Sequence, residues 1–114
     1  MSKRSGIVVG HELMTVAAYA KMLRGQYTDA KRVIIRHGDW TPEAVQEACL
    51  ALPDACAFDY EVEEAVKGGG ISARSAQRLW DIADTVWKDF EDAVREATGK
   101  GLKDFDANHS LWGY

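Results

Sequence analysis

Apolar residues recur at helical spacing through most of the chain, and capping residues divide them into segments. From His11 to Arg24 they stand at Leu13, Val16, Ala17, Ala20 and Leu23, three and four apart, which predicts one buried helical face. Gly25 then predicts a C-terminal stop, and Thr28 followed by Asp29 predicts a new N-cap. On that reading a second helix turns Ala30, Val33, Ile34 and His37 inward and Lys31, Arg32 and Arg36 outward, and ends at Gly38. The third unit is bounded most sharply: Thr41 caps it, Pro42 takes the first helical position, Val45, Ala48, Cys49 and Leu52 face inward, and Pro53 stops it.

The stretch after Pro53 carries two periods at once. Phe58, Tyr60 and Val62 alternate like a strand, while Phe58, Val62, Ala65 and Val66 fit a helix; with no second strand to pair with, a helix is expected. Beyond the glycines at 68–70, Ser72 can cap a long helix to about Thr98, with Gly99 as its stop. Ala76, Leu79, Ala83, Val86, Phe90, Ala93 and Ala97 keep the helical period there, with Trp80, Trp87 and Val94 at sevens beside them. Such a helix is roughly 40 Å long at about 1.5 Å per residue. Either the shorter helices pack along all of it, or its tryptophan seam meets a partner, which includes a homodimer through this helix.

The fold expected is therefore all-α: a single domain over 1–114, about five helices gathered around the long C-terminal one at 72–98, with 1–10 and 100–114 as terminal segments. The tail from Gly99 has no period and finishes in Leu111, Trp112 and Tyr114.

Composition adds limits. Hydrophobic residues at 46% and charged ones at 28% are ordinary for a folded domain. No apolar run approaches the 18 or so residues of a membrane span, and two cysteines, Cys49 and Cys56, suit a reducing compartment, so no membrane and a cytoplasmic location are expected. The formal charge of −4 hides a polarity: residues 1–38 carry seven basic and two acidic side chains, whereas residues 39–71 carry eight acidic and one basic. The two segments are expected to face each other in the fold, or to meet charged partners.

Candidate chemistry is sparse. "RHGDWTP" resembles the histidine acid phosphatase signature, in which a histidine takes up the phosphoryl group between arginines. Arg36, His37, Gly38 and Pro42 match it, but Trp40 stands where the second arginine belongs, and the resemblance demands a strand where the spacing predicts a helix. "GGGISA" at 68–73 satisfies the G-x-G-x-x-A turn of dinucleotide sites without the strands that frame one. The stretch 62–80 looks like a helix-turn-helix unit, which implies DNA binding through Ser72, Arg74, Gln77 and Arg78, although Glu61, Glu63 and Glu64 precede it. His11, His37 and His109 are scattered and the two cysteines lack zinc-site spacing, so neither metal nor cofactor is expected.

With no catalytic set assembled, the expectation is a non-enzymatic regulator, adaptor or inhibitor that binds another protein, of the kind a phage or mobile element directs at a host factor. Its expected partner-binding residues are Trp80, Trp87, Trp112 and Tyr114, with the acidic Asp59, Glu61, Glu63 and Glu64. The alternative is the helix-turn-helix DNA binder.

Overall fold

A computed structural model describes residues 6–105, with only the backbone of Ala55 and Cys56. These residues form a β-hairpin (β1, Ile7–Val9; β2, Glu12–Met14), four helices (α1, Val16–His37; α2, Pro42–Cys49; α3, Ala55–Lys67; α4, Ala73–Thr98) and a closing 3-10 turn, Leu102–Phe105. The fold is mostly helical, with four helices instead of five and a small sheet that the sequence pattern does not announce.

Two of these differences lie at the start of the chain. His11–Met14 does not open a helix: Glu12–Met14 pairs antiparallel with β1, with Ile7 opposite Met14 and Val8 opposite Leu13. Gly10, at φ 64°, supplies the left-handed turn conformation that a tight hairpin needs. Thr15 then caps α1, its hydroxyl accepting from the Ala18 N–H at 3.0 Å. The second difference is Gly25, which lies inside α1 and stops nothing. Tyr19, Ala20, Leu23, Ala30, Val33 and Ile34 are all buried on one side of the continuous helix. Burial on both sides of Gly25 outweighs the helix-breaking tendency of one glycine, about 1 kcal/mol.

Elsewhere the caps fall where the residue types direct. Thr41 accepts from Ala44 N–H ahead of Pro42, Ser72 accepts from Ser75 N–H, and Gly38 and Gly99 close α1 and α4 in the left-handed conformation. The stretch 58–62 is helical, within α3. The glycines at 68–70 are the C-terminal cap of α3: Gly69 has φ 75°, and the Gly70 N–H returns to the Ala65 carbonyl at 2.8 Å.

Two cores are stacked along α1 and α4. The upper one joins Ala30, Val33 and Ile34 to α2, to Trp87, Phe90 and Val94, and to Leu102 and Phe105; the lower one joins Ile7, Tyr19, Ala20 and Leu23 to Phe58, Val62, Leu79 and Ala83. Early residues of α1 thus meet early residues of α4, and late meet late, so these two helices run parallel. Chain reversal falls to α2, which covers the upper core, and α3, which descends over the lower one. The molecule is accordingly elongated, 53 × 25 × 18 Å.

Trp87 settles how the tryptophan seam is used. It is buried, and its indole N–H donates to the Pro53 carbonyl at 2.9 Å, tying α4 to the α2–α3 junction. Its place is in the core, not on a docking face. At the lower end the Gly6 N–H donates to the Gly70 carbonyl at 2.9 Å, and any Cβ on Gly6 would run into the Met14 carbonyl oxygen, so glycine is required where the hairpin meets the α3–α4 turn. No helix among the described residues is long and apolar enough to cross a membrane.

Candidate functional site

The side of α3 away from the core is the most acidic surface of the chain's middle third. Phe58 and Val62 are buried, which leaves Asp59, Tyr60, Glu63 and Glu64 exposed. Lys67, one turn on, pairs with Glu63 at 3.3 Å and Glu64 at 3.7 Å, and the first of these contacts above all raises its pKa. Tyr60 is 68% exposed amid these charges.

Glu61 points differently. Its Oε1 accepts the Tyr19 hydroxyl at 2.9 Å, fixing α3 against α1. Burial, followed by this bond and the carboxylate's charge, pushes the Tyr19 pKa up, so the phenol remains a donor. Beside this pair, where α2 gives way to α3, lies a crevice of about 180 Å³. Met22, Leu23 and Gln26 of α1 form one wall, Leu50, Leu52, Pro53 and Asp54 the junction side, and Ala57, Phe58 and Glu61 the other wall. The Gln26 Oε1 is buried and has no hydrogen-bond partner. Leu50, 85% exposed, stands at the mouth.

Of the expected partner-binding residues, the structure brings the acidic four together on α3 and separates them from Trp87. Trp80 is half-buried, packed edge-on against Phe58 at 4.6 Å between ring centroids, and borders a shallow depression with Gln77, Asp81 and Asp84. Trp112 and Tyr114 lie outside the described residues, as does His109. The crevice itself was hidden from sequence reading, because Met22 and Gln26 sit on either side of a glycine read as a helix stop. An unbroken period through 16–37 would have placed both on the flank of one helix.

The residues proposed for DNA are dispersed in their uses. Ser72 is consumed as the α4 cap and Gln77 donates to Asp81 at 3.0 Å, which leaves Arg74 and Arg78 exposed. Arg78 lines a groove of about 420 Å³ between α1 and α4 with Arg24, Tyr27, Ile82, Val86, Asp81 and Asp89. Arg24 and Gln26, two residues apart, project to opposite flanks of α1, so this groove and the crevice are separate.

The remaining chemistry is structural. His37 is at the last turn of α1, not on a strand, and is exposed instead of inward; its Nε2 lies 3.2 Å from Glu47 Oε1, and Arg36 also pairs with Glu47. The His37 contact leads in holding the Glu47 carboxyl below its ordinary pKa. The phosphatase arrangement is therefore absent here: Arg36 and His37 clamp a carboxylate between α1 and α2. Burial pushes the Cys49 thiol up to about 12, far from the thiolate a nucleophile needs. The glycines of "GGGISA" join two helices, with no strand leading in. No group of three or more His, Cys, Asp or Glu among the described residues could hold a metal ion.

Comparison with known proteins adds no relative: no family model matches the chain, and no curated protein or solved structure is significantly similar to it.

Proposed function

We propose that the chain is a non-catalytic protein-binding module, an adaptor, regulator or inhibitor, that docks a basic partner on the outer face of α3 and the adjoining α2–α3 junction. The observation that carries this reading is the pairing of exposed apolar anchors with carboxylates. Leu50 stands 85% exposed at the α2–α3 junction, and Tyr60 stands 68% exposed on α3 among Asp59, Glu63 and Glu64. A large exposed apolar residue is unremarkable alone, but tyrosine on a charged rim is the composition of an interface centre. Negative charge on this face favours encounter with a positively charged partner and disfavours a nucleic-acid backbone.

The test is capture of lysate partners on the purified chain, with and without nuclease, repeated with Leu50→Ser and Tyr60→Ser. A protein that survives nuclease and is bound more than about tenfold less tightly by both variants is the expected outcome. Retention of nuclease-sensitive material alone, lost with Arg74→Ala and Arg78→Ala together, would overturn it in favour of DNA binding.

A further inference from the structure

We propose that the crevice at the α2–α3 junction receives one lysine or arginine side chain of the partner protein. The inference rests on the docking reading above and names the chemistry that the site would recognise.

Size sets the first limit. A cavity of about 150 Å³ holds a benzene-sized group, so a crevice of about 180 Å³ takes a single side chain. Its apolar walls come next. Met22, Leu23, Leu52 and Phe58 offer a surface for an aliphatic stem, and long basic side chains bury such stems while keeping the charged head among polar groups.

The polar lining decides the head group. Glu61 supplies a carboxylate, Asp54 adds a second that already has an interaction of its own, and no lining residue is cationic. Glu61 receives the Tyr19 hydroxyl on Oε1 only, so its second oxygen remains as an acceptor. An arriving apolar side chain would leave that oxygen unmet, and an anionic one would be repelled by the carboxylates. An ammonium or guanidinium group brings several donors and the opposite charge, which is what this lining lacks. Glu64, three residues on from Glu61 and exposed on the neighbouring strip of α3, would draw such a group toward the opening.

The experiment titrates the isotopically labelled full chain with N-acetyl-lysine-N-methylamide, N-acetyl-arginine-N-methylamide and the uncharged norleucine analogue, read by NMR. The expected result is saturable shifts of the Gln26 side-chain amide and of the Met22 and Leu52 methyls with a cationic probe, and none with norleucine. Glu61→Gln, which keeps an acceptor for Tyr19, should weaken cationic binding about fivefold or more, and Asp92→Asn on the far part of α4 should not. Equal response to norleucine, or cation-induced shifts confined to Asp59, Glu63 and Glu64 and unaltered by Gln26→Leu, would overturn the proposal. No crevice binding alongside a captured partner that depends on Tyr60 would remove this inference alone. Crevice binding with no protein captured would instead remove the docking reading.

Discussion

Trp87 combines two functions that a smaller aromatic residue cannot. Its ring fills the upper core, and its indole N–H meets the Pro53 carbonyl at the point where the chain turns from α2 to α3. Trp87→Phe keeps an aromatic ring but leaves that carbonyl without this donor, and a loss of about 2 kcal/mol in chemical denaturation is expected. Gly25 makes the opposite case. It is exposed within α1, and a Cβ there would meet nothing within 4 Å. Gly25→Ala should therefore stabilise the protein by about 0.5–1 kcal/mol, visible as a higher Tm. Glu47 gives the protein a dependence on acid. Because its folded pKa is depressed, the stability it contributes is present above the unfolded carboxylate value of about 4.3 and fades as pH falls through the lower folded value. The Tm difference between the parent and Glu47→Gln should accordingly be small at neutral pH, since the group is exposed, and vanish once acidification has passed below the depressed folded value; a difference that persisted there would contradict the assignment.

Among the elements, α4 was legible in the sequence at both ends and α2 at its start, because each carries its own cap; α2 ends at Cys49, short of the stop expected at Pro53. Thr41 with Pro42, and Ser72 with Gly99, are local signals that packing had no reason to override. Helix α1 was legible in Ala20, Leu23, Ala30, Val33 and Ile34, which are buried. It was not legible in Tyr19, which is buried too, nor in Leu13, Ala17 and His37, which are exposed, nor in its continuity. Gly25, Thr28 and Asp29 together imitate a stop and a restart, and the burial that carries the helix through comes from its neighbours: α4 along both cores, α2 over the upper one and α3 over the lower. The hairpin was missed for a related reason: Leu13 and Val16 extend the helical period backward by coincidence, while Gly10 and Thr15, the turn and the cap, were the informative residues. The same distinction governs the candidate site. The acidic run on α3 is visible in one dimension, whereas the crevice needs Met22, Leu50 and Glu61 in one place, and that proximity exists only after folding. Removing the cap of α4 checks this account of boundaries: Ser72→Ala should cost about 1 kcal/mol without shortening the helix elsewhere, as measured by denaturation and far-UV circular dichroism.

For the molecule as a whole, the charge polarity of the chain is only partly neutralised within it. Glu47 joins the basic end of α1 to the acidic middle third, but Arg32–Asp29, Lys67–Glu63, Lys88–Asp84 and Arg95–Glu91 are all pairs within single helices. Such exposed local pairs contribute little to stability, and the carboxylates of α3 remain on the surface, with Lys67 as their neighbouring cation. The parallel course of α1 and α4 has a mechanical consequence. Tension applied at residue 6 and residue 105 would load the start of one helix and the end of the other, at opposite poles of the rod, so the two would have to slide past each other with both cores in shear. Antiparallel helices held from one end can be peeled apart turn by turn. In single-molecule stretching, pulling between those two positions should require a markedly higher rupture force than pulling between residues 6 and 70, which sit together at one pole.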